Sequence, residues 1–297
     1  MQTNAPEPAP ADKAGWTCVT CGRNGTENFC AHCGEKQRSN HDFSLGHVLA
    51  EAAEAFFHVD SKVFLTLKTL IKKPGKLTED FFLGRRKPYM SPLQTFFVCN
   101  LLFFFLQPLT GLEILAPPLK TFDNPNSLTQ HLIDRRLEHK HLSRKKQQEY
   151  GDFSDRFNHN SHLQAKSLVV VMALMLAVVV AVLYFQRRRY FSEHIIFCLH
   201  AYAWWLLWVL AILVVMALIF VSSKLHGHQE IGIHLIDAVA TPLEFGGLGV
   251  YLFLASRRFY QDKLFSGLIK GIIVAFCSYG IFHLYRYLLF FTVLYST

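Results

Sequence analysis

Five apolar runs, separated by clusters of arginine and lysine, constrain this chain more than any other feature. They lie at 93–110, 167–185, 195–223, about 238–256 and 264–294. The second holds 19 residues and no charge. A helix needs about 20 mostly apolar residues to cross about 30 Å of hydrocarbon, so the second and third runs are long enough unaided. The first is broken by Pro108 and the fourth carries Glu244. Charged residues are 18% of the 297, below the level of about a quarter usual in soluble domains. The expected fold is an all-α multi-pass membrane protein of about five transmembrane helices. Its membrane domain spans 93–297, with a polar connection at 111–166.

The basic clusters set an orientation. Arg85, Arg86 and Lys87 precede the first run, Arg187–Arg189 separate the second and third, and Arg257, Arg258 and Lys263 separate the fourth and fifth. Five crossings bring all three clusters to one side, and the excess of positive charge on cytoplasmic loops makes that side the interior. The expectation is a bacterial inner-membrane protein with its N-terminus cytoplasmic and its C-terminus outside. One feature opposes this: the connection 111–166 carries nine Lys or Arg and falls outside. Loops approaching about 60 residues are read weakly by the rule. The net charge of +8 is spread over the flanks of apolar runs, which points to anionic lipid and away from nucleic acid. Residues 1–17 have no apolar core, so no secretory signal is expected, and 1–16 read as a disordered tail.

Ahead of the membrane domain, Cys18, Cys21, Cys30 and Cys33 form C-x-x-C-x8-C-x-x-C. Two such hairpins place four thiolates around one tetrahedral ion. Each pair is followed by glycine, at Gly22 and Gly34, which suits a tight knuckle. The expected unit is a small zinc ribbon at 17–36. Zinc is the favoured ion, with iron the runner-up because four thiolates suit both. Two disulfides require an oxidising compartment, which the expected cytoplasmic N-terminus does not offer. All four ligand positions are filled, so the metal is structural and leaves no place for a catalytic water. Cys99, Cys198 and Cys277 lie singly in apolar runs and read as small hydrophobes.

Residues 42–92 read as amphipathic interfacial helices. Leu45, Val48, Leu49, Ala52, Ala53, Phe56 and Phe57 recur at helical steps, and so do Val63, Phe64, Leu67, Leu70 and Ile71. Lys68, Lys72, Lys73, Lys76, Arg85, Arg86 and Lys87 give this stretch a basic surface for the anionic inner leaflet. The alternative is a set of helices packed beneath the bundle with their lysines in water. The paired cysteines through Cys33-Gly34-Glu35-Lys36, then Asp60, Thr66-Leu67-Lys68-Thr69-Leu70, Pro74-Gly75-Lys76 and Gly84-Arg85-Arg86-Lys87-Pro88-Tyr89-Met90-Ser91-Pro92, carry a resemblance. Glu193-His194, Phe197 and His200 extend it. The chain resembles an uncharacterised bacterial membrane-protein family with an N-terminal zinc ribbon. That resemblance implies membrane location and the ribbon. It brings no catalytic residue.

Ionisable groups at membrane depth cost roughly 3 kcal/mol or more unless paired, so they are the natural polar-site candidates. Glu193, His194 and His200 form an inner group at the start of the third run, and Glu244, His283 and Arg286 an outer one. Glu244 is expected to face His283 or Arg286. The bland reading of both groups is helix-anchoring ion pairs. Lys270 is expected to reach for the inner interface. Gly246-Gly247-Leu248-Gly249 reads as close helix packing. No phosphate loop, zincin motif, nucleophile elbow or pair of catalytic carboxylates is present. Three functions remain open. The first is a membrane-anchored adaptor or assembly factor that docks protein partners through the ribbon. The second is a small-solute or proton transporter or channel component that uses Glu244, His283 and Arg286, with a homo-oligomer needed to complete a pathway from five helices. The third is a membrane-embedded enzyme acting on lipid, with His194 or His283 as a base.

Overall fold

The computed structural model describes residues 16–25, 28–35, 62–111, 114–122, 128–138, 146–225 and 233–297. The expected tail as far as residue 15 and the apolar face from Leu45 to Phe57 lie outside the described residues.

A two-stranded antiparallel ribbon opens the described chain, with β1 (Trp16–Thr17) on β2 (Asn24–Gly25) in the register Trp16–Gly25. Helices α1 (Lys62–Lys72) and α2 (Lys76–Phe82) follow and form a collar. Then come α3 (Pro92–Leu106), α4 (Leu128–Glu138), α5 (Lys146–Leu183), α6 (Phe191–Leu225), α7 (Ile233–Phe259) and α8 (Leu264–Ser296). Five helices are long and apolar enough to cross a membrane: Pro92–Thr110, Gly151–Leu183, Phe191–Ser222, Val239–Phe259 and Leu264–Ser296. The protein is an all-α multi-pass membrane protein with a four-cysteine ribbon at its N-terminal end.

The first crossing shows how a short run is made to reach. Ser91 caps α3 by accepting the Gln94 N–H at 3.3 Å, and Pro92 sits at the first turn, where no donor is needed. Pro108 does not end the segment; it opens a 3-10 turn over Gln107–Thr110. With the larger rise of a 3-10 turn, the 19 residues reach about 30 Å, the depth of the hydrocarbon.

Helices α5, α6, α7 and α8 close a ring in which each packs on the next and α8 returns to α5, while α3 lies against α6. The glycine cluster in α7 packs, as expected. A Cβ on Gly247 would fall inside the Trp208 indole, one on Gly249 would come 3.0 Å from Ala275 Cβ, and one on Gly271 would come 3.1 Å from Phe253 Cβ. Two facing glycines bring α7 and α8 together where side chains are missing.

Contacts between turns place the three basic clusters at one end of the ring. Arg187 reaches Asp262 at 3.3 Å, Arg189 donates to the Phe259 carbonyl at 3.1 Å, and Arg258 donates to the Pro74 carbonyl at 3.4 Å. At the other end, Asn160 donates to Thr297 Oγ1 at 3.1 Å and Tyr285 OH to the Leu115 carbonyl at 2.9 Å. The connection 111–166 is therefore less uniformly polar than its charge suggests. Its last third extends α5 beyond the apolar run, and Leu115, Leu119 and Phe122 are buried, with Phe122 on Phe290 at 4.7 Å between ring centroids.

The collar sits beneath the ring, α2 against α6 and α7 and α1 against α3. Its buried face differs from the apolar stripe expected in α1. Thr66, Thr69 and Leu70 are buried, whereas Phe64 and Ile71 are exposed. The reason is polar: Thr66 Oγ1 accepts the Met90 N–H at 3.0 Å, fastening α1 to the loop that enters the first crossing.

Candidate metal centre

The two knuckles repeat one hydrogen-bond pattern. Cys18 N–H donates to the Arg23 carbonyl and Gly22 N–H to the Cys18 carbonyl, each at 2.8 Å. Twelve residues on, Cys30 N–H donates to the Glu35 carbonyl and Gly34 N–H to the Cys30 carbonyl, each at 2.7 Å. Both glycines have φ near +70°, at 74° and 69°, where a side chain is strained. This turn aims two sulfurs inward from each hairpin.

All four Sγ atoms lie within 4.8 Å of one another. Cys18 and Cys33 are 3.5 Å apart and Cys21 and Cys30 3.6 Å, across the two knuckles. A tetrahedral ion with bonds of about 2.3 Å to sulfur sets its ligands about 3.8 Å apart. A disulfide requires about 2.05 Å. The sulfurs are spaced as ligands, and among the described residues this is the only group of three or more His, Cys, Asp or Glu placed to hold a metal ion. Backbone N–H groups of Cys33 and His32 pull the Cys30 thiol down to about 6. The Glu35 N–H favours a thiolate on Cys33 as well, but desolvation and the neighbouring thiols push it up to about 12. The backbone donors thus favour a thiolate at Cys30, and a cation's charge would draw off the remaining protons.

The ribbon is seated on the collar. The Glu35 carboxylate, 3% exposed, accepts Thr20 Oγ1–H at 2.7 Å from the first knuckle. It also accepts the backbone N–H groups of Arg86 at 3.4 Å and Lys87 at 3.1 Å. The second knuckle faces that loop, because a Cβ on Gly34 would come 3.2 Å from Lys87 Nζ. Val19 approaches Gly84 in the same way.

Each of the inner polar candidates is held by a partner. Glu193 pairs with Arg189. His194 Nδ1 lies 2.7 Å from Tyr260 OH, and His200 Nδ1 lies 2.9 Å from Thr78 Oγ1 in the collar. The three residues thus fasten α6 to three different partners. Glu244 is 4% exposed within α7, His283 lies edge-on to Tyr279 at 4.5 Å, and Arg286 lies over the Phe282 ring at 5.8 Å. Lys270 binds Asp262 at 3.2 Å. The basic surface also divides. Lys68, Lys72 and Lys73 are exposed, but Lys76 and Arg85 bind Asp80 at 2.9 and 3.4 Å, and Arg86 stacks over Phe81 at 4.5 Å. Lys87 is exposed at the ribbon contact.

Three carboxylates escaped the sequence reading: Glu35, Asp80 and Asp262. Asp80 accepts the Tyr89 hydroxyl at 3.1 Å besides its two cations. Asp262 accepts the Tyr184 hydroxyl at 2.6 Å besides Arg187 and Lys270. Each is buried among basic residues at the same end of the molecule. A lone acidic residue inside a basic run, such as Asp262 between Arg258 and Lys263, was the available signal.

A family described as a protein of unknown function, DUF3667, matches residues 60–104. That segment is the collar and most of the first crossing, and it contains Thr66, Gly75, Asp80 and Ser91. No curated protein and no solved structure matches the chain.

Proposed function

We propose that this protein is a membrane-anchored adaptor or assembly factor of the bacterial inner membrane, whose cytoplasmic ribbon holds zinc and docks a protein partner. The observation that carries the reading is the seating of the ribbon. Glu35 holds one side of it against the collar, while Phe29 on the ribbon is 59% exposed. An aromatic displayed on a small rigid unit is the kind of anchor that dominates protein interfaces. Zinc suits four thiolates, supplies the folding energy that so short a segment lacks, and leaves no open coordination position. A reducing interior keeps such thiols on a metal. The basic end of the bundle then faces that interior.

The test is affinity purification of the intact protein from membranes, with metal analysis of the purified complex. Phe29→Ala should retain one zinc per chain and lose the partner. Cys18→Ala with Cys21→Ala should lose both. Retention of the same partner by all variants would remove the adaptor reading. A second reading, solute or proton transport, is favoured by the burial of Glu244 in a membrane span. There Glu244→Gln should abolish flux in proteoliposomes while the protein remains folded.

A further inference from the structure

The fold brings two pairs of cations, far apart in sequence, around one cavity. Lys72 and Lys73 end the first collar helix, and Arg257 and Arg258 end α7. Together with Pro74 and Leu254 they line a space of about 510 Å³ at the basic end. Like charges gathered this way repel unless something negative offsets them.

The protein's own negative groups fall short. Asp262 also borders the cavity, but its charge is met by Arg187 at 3.3 Å and Lys270 at 3.2 Å. Glu79 reaches Arg258 at 3.6 Å. Among the described residues, no carboxylate pairs with Lys72, Lys73 or Arg257. Two helix C-termini end here, and their dipoles amount to roughly one negative charge in total. About two positive charges remain uncompensated.

The surroundings identify what supplies the missing charge. Leu254 in the wall is exposed, as are Ile71 beside Lys72 and Leu264 and Phe265 just beyond Lys263. Cations next to exposed apolar side chains at the end of a membrane bundle match an amphiphile, with phosphate on the cations and acyl chains over the apolar rim. We infer that this cavity binds the headgroup of an anionic phospholipid that carries two phosphates. The inference rests on the membrane placement of the bundle and does not require a partner for the ribbon.

The test uses the full-length protein purified in neutral detergent. Diphosphatidylglycerol, phosphatidylglycerol, phosphatidylcholine and inorganic pyrophosphate are titrated separately, with bound species counted by native mass spectrometry. Diphosphatidylglycerol should bind at least about tenfold tighter than phosphatidylglycerol, and phosphatidylcholine weakest of the lipids. The triple variant Lys72→Gln, Lys73→Gln, Arg257→Gln should lose about a hundredfold in affinity for diphosphatidylglycerol. Lys263→Gln, at the same end but outside the cavity, should bind as the parent does. If the triple variant does not fold, Arg257→Gln alone should still lose about fivefold. The inference is overturned if the cavity variants bind diphosphatidylglycerol like the parent, or if Lys263→Gln loses as much as they do. Pyrophosphate binding as tightly as the lipid would also overturn it, by pointing to a soluble anion.

Discussion

The Glu35 carboxylate accepts the backbone N–H of Lys87, 52 residues further along the chain, at 3.1 Å. One buried side chain thus joins the four-cysteine ribbon to the loop that enters the first membrane crossing. The same carboxylate ties the two knuckles together through Thr20. The four-cysteine cluster and the collar loop therefore share a residue.

Glu35→Ala should release the ribbon from its seat without removing the metal ligands. Hydrogen bonds to a charged acceptor contribute about 1.5–3 kcal/mol each. Amide exchange at Arg86 and Lys87 should quicken at least about tenfold, measured by hydrogen exchange with mass spectrometry. Metal content should stay near one ion per chain.

Chelation should unfold the ribbon and leave the bundle intact. A two-stranded ribbon of this size buries too little to fold without its ion. Protection at residues 16–35 should vanish on metal removal, while helical circular dichroism hardly changes. Acid should act in the same direction. The ligands bind as thiolates, and the Cys33 thiol stands at about 12 before metal arrives because desolvation and neighbouring thiols outweigh the N–H of Glu35. Binding expels protons, so metal affinity rises with pH and falls as acid returns them. Competition titrations between about pH 8 and pH 6 should show affinity dropping by at least about tenfold.

Gly75→Ala should loosen the collar. Gly75 has φ +75°, and an added Cβ would come 2.7 Å from the Ala255 carbonyl oxygen and 2.8 Å from its Cα. Both neighbours are backbone and cannot step aside. Strain and overpacking together should cost about 2–4 kcal/mol. A lower Tm in detergent, with metal content unchanged, checks this.

Asp262→Asn should weaken the basic end. The substitution removes the charge that Arg187 and Lys270 share but keeps an acceptor for Tyr184. Removing one partner of a buried pair costs about 3–5 kcal/mol. The exposed Arg187 and half-buried Lys270 screen that loss, so about 1–3 kcal/mol is expected, read as a fall in Tm.

The sequence showed the bundle because hydrophobic length is a local property. All five crossings lie where the apolar runs lie, and Pro108 changed the kind of turn without ending the span. The clustering of the four cysteines was legible from spacing alone. The polar contacts were not, because they depend on partners distant in the chain. His200 meets Thr78 across 122 positions, and Tyr184 meets Asp262 across 78. The seating of α1 was hidden for a related reason: Thr66 faces inward to serve Met90, which no periodicity in the helix reveals.

We propose that the four cysteines hold a metal inside the cell, at the basic end of the bundle. Thiol labelling with a membrane-impermeant reagent tests it directly, on intact cells and on inverted membrane vesicles, with and without chelator. Cys18, Cys21, Cys30 and Cys33 should remain unlabelled on intact cells and react in inverted vesicles only after chelation. Labelling of these thiols on intact cells, or their recovery as disulfides, would contradict the account.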